Sequence, residues 1–84
     1  MKPLEENALA NKITEKIIEG AFIAGLKIMG IGVGRLQDGS FPVTVEWDVK
    51  HKSEFWVMAS EDMYTLGLRL SRQLEDEHKR AFRR

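Results

Sequence analysis

Cysteine is absent from the 84 residues of this chain. No disulfide framework, thiolate nucleophile or cysteine-based zinc site can therefore form. The sequence also has no excess of either charge, because 13 acidic side chains balance 13 basic ones. A protein that binds nucleic acid through its overall field carries a positive excess, and a mimic of DNA carries a negative one. Any role driven by charge must therefore depend on local clusters.

Long hydrophobic runs are missing as well. The most apolar stretch, residues 20–34, contains Lys27 and falls short of the ~20 residues needed to cross a bilayer. The first residues lack the apolar segment of a secretion signal. The expected location is the cytoplasm, with no role at a membrane.

The composition is that of a folded protein. Hydrophobic residues make up 43% of the chain, which is typical of globular domains. The length fits one core near the small end of self-sufficient folds. We expect residues 1–84 to form a single small α+β domain.

The first part of the chain has the periodicity of a helix. Apolar residues recur at three- and four-residue intervals from Leu9 to Ala24. The polar face fades after Glu19, so the last turns are expected to be buried nearly all round. The glycines of residues 30–34 each raise the cost of helix by about 1 kcal/mol. The helix is therefore predicted to end near Met29.

Strand signals follow this helix. Apolar residues alternate with glycines up to Leu36, which predicts a short and weak first strand. Asp38 and Gly39 then form a strong turn signal, because both residues tolerate positive φ.

The clearest strand runs from Phe41 to Val49, where apolar and polar residues alternate. Pro42 lacks an N–H group, so it is predicted to lie at the start of this strand or to face away from a neighbour. Residues 55–58 supply a third strand.

The last part of the chain again has helical spacing. Ser60 is a favourable helix cap, and Glu61 and Asp62 suit a first helical turn. Apolar residues follow at the helical period, namely Met63, Leu66, Leu70, Leu74 and Ala81. The predicted fold is α+β with the order α-β-β-β-α, in which two helices pack on one face of a three-stranded antiparallel meander.

The glycines of residues 30–34 suggest a comparison with loops that bind phosphate. Such loops need a strand before them and a helix after them, so that free helical N–H groups point at the phosphate. Here a helix comes first and a strand second. We therefore interpret these glycines as the end of a helix and a place where backbones approach closely, and we predict no cofactor.

Catalytic and metal-binding patterns are weak. His51 and His78 lie on different elements and outside any ligand motif, and His78 is expected on a helix surface. Glu46, Asp48 and Glu54 occupy strand positions where carboxylates ordinarily keep a protein soluble. A chain this short can hardly build the cleft that an enzyme needs. Neither a metal site nor an enzyme is predicted.

The aromatic residues are the most informative feature. Alternation in the third strand directs either Phe55 with Val57, or Trp56 with Met58, toward the helices. We favour Phe55 and Val57 inward, which leaves Trp56 and Met58 on the open sheet face beside Glu46. Exposed tryptophan and methionine are enriched at binding surfaces. Two alternatives stay open: the chain ends cover this face, or Trp56 lies in the core and Phe55 is exposed.

The last helix carries a set of basic residues, Arg69, Arg72, Lys79, Arg80 and Arg83. Acidic residues lie among them, which predicts the four-residue pairs Arg72–Asp76, Glu75–Lys79 and Asp76–Arg80. Each such pair stabilises a helix by about 0.2–0.5 kcal/mol and neutralises its field. Only the end of the chain, from Lys79 to Arg84, is left to contact an acidic partner.

The predicted element order resembles that of the double-stranded RNA-binding domain, whose size also matches. In that family, lysines at the start of the final helix contact phosphates across a groove. Residues 60–63 of this chain read Ser-Glu-Asp-Met there and would repel phosphate. The resemblance covers the element order alone. It implies an alternative function, nucleic-acid binding through the basic C-terminal helix.

The leading hypothesis is a small non-enzymatic module that binds a protein partner, or itself as a homodimer, through the sheet face or a strand edge. The size of the chain suggests an inhibitor or adaptor of the kind that phages and mobile elements encode, for example an anti-defence protein acting on a host complex. The predicted binding residues are Trp56, Met58, Glu46, Arg69, Arg80, Arg83 and Arg84.

Overall fold

A computed structural model describes residues 3–83 and has the predicted element order. Helix α1 spans Pro3–Ala24, strand β1 Gly30–Val33, strand β2 Ser40–Glu46, strand β3 Lys52–Met58 and helix α2 Met63–Ala81. The strands form one antiparallel sheet in the order β1-β2-β3. Both helices pack on the same face of this sheet, so the α+β prediction is confirmed.

Helix α1 ends five residues earlier than predicted, because Gly25 adopts a left-handed conformation with φ of 70°. The N–H of Gly25 donates to the carbonyl of Phe22 at 3.2 Å, and the N–H of Leu26 donates to the carbonyl of Ala21 at 2.9 Å. These two bonds form a Schellman motif, which satisfies carbonyls that the end of a helix leaves free. The last turns are not buried all round, since Phe22 is 86% exposed.

Strand β1 is also shorter than predicted and ends at Val33 rather than Leu36. The N–H of Leu36 donates instead to a carboxylate oxygen of Glu6 at 2.7 Å. This contact ties the end of β1 to the first turns of α1. The turn at Asp38 and Gly39 is confirmed, with φ of 49° and 80°.

Strand β2 provides the centre of the core. Phe41, Val43 and Val45 are buried beneath the helices, as their alternation predicts. The strand ends at Glu46, so the prediction that it reaches Val49 is wrong. Asp48 accepts two backbone N–H groups and turns the chain away, which leaves Val49 91% exposed.

Pro42 lies near the start of β2, as predicted. The last residue of β1, Val33, pairs with Val43, so Pro42 lies beyond the end of β1. Its carbonyl accepts the N–H of Gly34 at 2.8 Å, but proline has no N–H to donate back to Gly34, so the pairing of the two strands stops at this point.

Helix α2 begins at Met63, with Asp62 as its cap instead of Ser60. The Asp62 carboxylate accepts the N–H of Tyr64 at 3.0 Å, which satisfies a donor that the start of a helix leaves free. Leu66, Leu70 and Leu74 form the predicted stripe and are fully buried. They complete one hydrophobic core with α1 and the inner face of the sheet.

The two helices approach closely at Gly20 of α1. A Cβ atom at this position would lie 3.0 Å from the Cβ of Leu70 and 3.0 Å from the backbone nitrogen of Ser71. The absence of a side chain at Gly20 therefore allows the two helices to pack closely.

Candidate functional site

The open face of the sheet carries the predicted aromatic site. In β3, Phe55 and Val57 are buried, whereas Trp56 and Met58 are 55% and 57% exposed on the side away from the helices. The predicted orientation of this strand is confirmed. Two large apolar side chains from one strand therefore lie together on the face of the sheet opposite α1 and α2.

The strand register fixes the neighbours of these side chains. Trp56 lies opposite Pro42 and Met58 lies opposite Ser40. On the far side of β2, Gly32 of β1 pairs with Thr44. Apart from Gly32 and its two neighbours in the chain, no heavy atom of the described residues lies within 4 Å of the position that a Cβ on Gly32 would take. The open face therefore projects at Trp56 and is low at Gly32.

Charged residues border this face at the end near the β2–β3 turn. Glu46 lies opposite Lys52, and Glu54 lies opposite Thr44. Glu46, Lys52 and Glu54 are all exposed. The surface around Trp56 thus carries two carboxylates and one ammonium group.

The predicted basic contacts lie elsewhere. Arg69, Arg80 and Arg83 belong to α2 or follow it, in the layer on the other side of the sheet from Trp56. Arg69 donates to Glu61 and, at 2.8 Å, to Gln73. The structure does not bring these arginines together with Trp56 and Met58. Arg84 lies outside the described residues.

The predicted four-residue pairs of α2 are not the ones that form. Arg80 contacts Glu77, three residues earlier, at 3.4 Å instead of Asp76. Among the side chains that the structure describes, no ion pair joins Arg72 with Asp76 or Glu75 with Lys79.

A second side-chain cluster was not anticipated from the sequence. The buried ring of Trp47 meets His78 edge-on with ring centres 5.0 Å apart. Phe82 packs against His78 at 4.5 Å and stacks on His51 at 4.1 Å. His78 is therefore half-buried, and the expectation that it lies on the helix surface is wrong.

Hydrogen bonds connect this cluster to the sheet. Trp47 Nε1 donates to Ser53 Oγ at 2.9 Å, and that hydroxyl donates to the carbonyl of Glu77 at 3.3 Å. The contacts join the end of α2 to the turn between β2 and β3. No local sequence pattern predicts these hydrogen bonds, because the bonded residues come from separate segments of the chain.

Asp48 and His51 lie at the margin of the same cluster. A carboxylate oxygen of Asp48 accepts from the backbone N–H groups of Lys50 and His51, and His51 Nδ1 lies 2.8 Å from it. The hydrogen bond from the His51 ring, aided by the two backbone donors, lowers the pKa of Asp48 below its usual 3.8. Every contact of this carboxylate shapes the turn. Within residues 3–83, no three acidic or histidine side chains converge as a metal site would require.

We compared the chain with protein-family models, with curated protein sequences and with solved structures, and none of the three comparisons gave a match. No helix in the described part of the chain is long and apolar enough to span a membrane.

Proposed function

We propose that the protein is a small non-enzymatic interaction module whose open sheet face binds a protein partner. The observation that supports this most is the pair Trp56 and Met58, each more than half exposed on a face that the fold leaves bare. Tryptophan is the residue type most enriched among those that dominate binding energy, and methionine is enriched at interfaces.

The shape and charge of this face favour a protein over a nucleic acid. A partner can pack against the exposed ring of Trp56 and also approach the main chain at Gly32, where no side chain projects. The two carboxylates, Glu46 and Glu54, outnumber the single ammonium group of Lys52, so the field here opposes a phosphate backbone. A polar rim around an apolar centre is the usual composition of a protein–protein interface.

The finer role forms part of the same proposal. We propose an inhibitor or adaptor that acts by occupying a surface of a host complex, as anti-defence proteins of phages and mobile elements do, in the cytoplasm. A homodimer is the second form of the proposal, because Trp56 lies on β3, an edge strand to which another strand can be added.

The experiment compares Trp56→Ala with Tyr64→Ala. Tyr64 is 95% exposed on α2, so it is a matched aromatic control from the other layer. Neither change is expected to alter the stability of the fold by more than about 1 kcal/mol, because both side chains are largely exposed. A photo-reactive side chain at Met58 would capture the partner from an extract of the native cells, and sedimentation would report self-association.

Loss of the captured complex, or of the dimer, in Trp56→Ala but not in Tyr64→Ala supports the proposal. Unfolding of Trp56→Ala, or an unchanged complex, contradicts it. The nucleic-acid alternative predicts a different result: affinity falls steeply with salt, and charge reversal at Arg80 and Arg83 removes it.

A further inference from the structure

Strand β1 is an edge strand, and in the described part of the chain no other strand pairs with its outer side. The N–H of Gly34 donates to the carbonyl of Pro42 at 2.8 Å. In an antiparallel strand, the main-chain N–H and C=O groups of alternate residues point to the same neighbour. The main-chain groups of Gly32 and Gly34 therefore point to β2, and those of Ile31 and Val33 point away from the sheet. Within residues 3–83, no side chain or loop bonds to these outward groups of Ile31 and Val33.

Helix α1 lies along this edge and leaves a groove between itself and β1. At the start of β1 the groove widens into a cavity of about 500 Å³ with apolar walls. Three of its lining side chains are large, apolar and exposed: Ile18 and Phe22 of α1, and Met29 before β1. This part is the apolar half of the groove.

The other half of the groove is polar. A cavity of about 400 Å³ lies between the first turns of α1 and the end of β1, and Glu6, Asn7 and Arg35 line it. The Glu6 carboxylate already accepts the N–H of Leu36. Arg35 is exposed and forms no ion pair with any other described side chain. A ligand in the polar half is therefore expected to offer Arg35 an acidic group.

We propose that this groove binds an extended peptide segment of a protein partner, which adds to β1 as a fourth, antiparallel strand. Unpaired N–H and C=O groups at strand spacing are matched by another extended main chain, and alternate side chains of that chain enter pockets. The peptide would run opposite to β1. An acidic residue therefore lies beside Arg35, and an apolar residue about four positions later enters the cavity at Phe22.

A second copy of the chain fits this edge poorly. Twofold pairing of two β1 strands would be antiparallel, so each apolar half would face the polar half of the other copy. The apolar side chains Ile18 and Phe22 would then lie against Glu6 and Asn7. The two-part character of the groove instead matches a peptide that is itself apolar at one end and acidic at the other.

This site lies at a different edge of the sheet from the face that carries Trp56. It therefore goes beyond the proposed function, and different substitutions test the two. The probe is a display library of random nonapeptides selected on the immobilised full chain. The variants are Phe22→Ala, Arg35→Glu and, as an exposed aromatic control, Tyr64→Ala. All three replace exposed side chains, so circular dichroism is expected to show an unchanged fold.

The expected peptides carry an acidic residue about four positions before an apolar one, as strand geometry requires. Their affinity is expected to fall about tenfold in Phe22→Ala, as for the loss of a buried apolar anchor, and to be unchanged in Tyr64→Ala. Selection on Arg35→Glu is expected to replace the acidic residue with a basic one. Hydrogen exchange at the amides of Ile31 and Val33 is expected to slow when peptide binds.

Failure to enrich any peptide, or enriched peptides that Phe22→Ala does not weaken, would overturn this inference. Peptides that lose affinity in Trp56→Ala while Ile31 and Val33 stay unprotected would place binding on the open face. That result would contradict the groove and support the proposed function. Peptides that bind in the groove and tolerate Trp56→Ala support the inference, whatever happens on the open face.

Discussion

Gly20 and Gly67 meet where α1 crosses α2, and the same substitution at the two positions is expected to have opposite effects. A Cβ atom at Gly20 would lie 3.0 Å from the Cβ of Leu70, 3.0 Å from the nitrogen of Ser71 and 3.1 Å from the carbonyl oxygen of Gly67. Two of these atoms belong to the backbone of α2. An alanine at Gly20 can therefore be accommodated only if the helices separate.

The surroundings of Gly67 are different. A Cβ atom there would meet the carboxylate of Glu19. The Glu19 side chain is half exposed and pairs with Lys16 at 3.1 Å on the surface. Its carboxylate can move to another rotamer in solvent, so Gly67→Ala requires no displacement of a helix.

The magnitudes follow from these contacts. Replacing a glycine by alanine inside a helix gains about 1 kcal/mol of helix propensity. At Gly20 the added methyl group costs about 1–3 kcal/mol as an overpacked core contact, so the net effect is a loss of about 0–2 kcal/mol. At Gly67 the cost is at most the surface pair of Glu19, worth about 0–1 kcal/mol, so the net effect is neutral or stabilising.

Urea unfolding of the two variants, followed by circular dichroism at 222 nm, measures this difference. Gly67→Ala is expected to unfold at a higher urea concentration than Gly20→Ala, with the original protein between them or level with Gly67→Ala. Equal slopes of the unfolding free energy against urea concentration would show that both variants expose the same surface area on unfolding. If Gly20→Ala were the more stable of the two, the close crossing of the helices would be refuted.

The remaining predictions concern the turn between β2 and β3. Ser53→Ala removes the acceptor of Trp47 Nε1 and is expected to cost about 1–3 kcal/mol in urea unfolding. Ser71→Ala, an equally buried control whose hydroxyl bonds within its own helix, is expected to cost less, and an equal loss would contradict this account. The pKa of Asp48 is lowered in the folded protein, so its contribution to stability is present above pH 3.8 and is lost as pH falls below that value. The advantage of the original protein over Asp48→Asn is therefore expected to shrink as the pH falls below 3.8, and a constant difference would argue against this carboxylate contact.

The parts of the fold that sequence alone predicts are those with a long, regular period. Alternation in β3 reduced its orientation to two choices, because one strand has only two faces, and the favoured choice with Phe55 and Val57 in the core is the one that the structure shows. The apolar stripe of α2 was equally clear, since three leucines four residues apart lie on one side of a helix.

The ends of the elements were harder to predict, because neighbouring residues compete for the same role. Ser60 and Asp62 are both good caps, and the Asp62 carboxylate reaches the N–H of Tyr64. Helix α1 ends at Gly25 and does not continue to the glycines of residues 30–34, so the predicted helix was five residues too long. That early end also explains why the exposure of Phe22, and with it the groove along β1, could not be predicted.

The cluster around Trp47 shows a second limit of the sequence. His78 and Phe82 contact Trp47 and His51 only after α2 has packed against the sheet. Contacts between distant segments produce no periodic pattern in the sequence. His78 follows three acidic residues and was therefore predicted to lie on the helix surface. The sequence also could not show which arginines already have an acidic partner within the fold. Arg69, which was predicted to bind a partner, contacts Glu61.

The crossing of α1 and α2 has a consequence for how the chain acquires its structure. The first and last elements, α1 and α2, together cover the three-stranded sheet. Ile13 and Ile17 of α1 are therefore fully buried only after Leu66 and Leu70 of α2 have packed against them. A nascent chain that has reached only Met58 holds a bare apolar sheet and a helix without its partner. Productive folding thus requires α2 to be available, and versions of the chain that end before α2 are expected to aggregate.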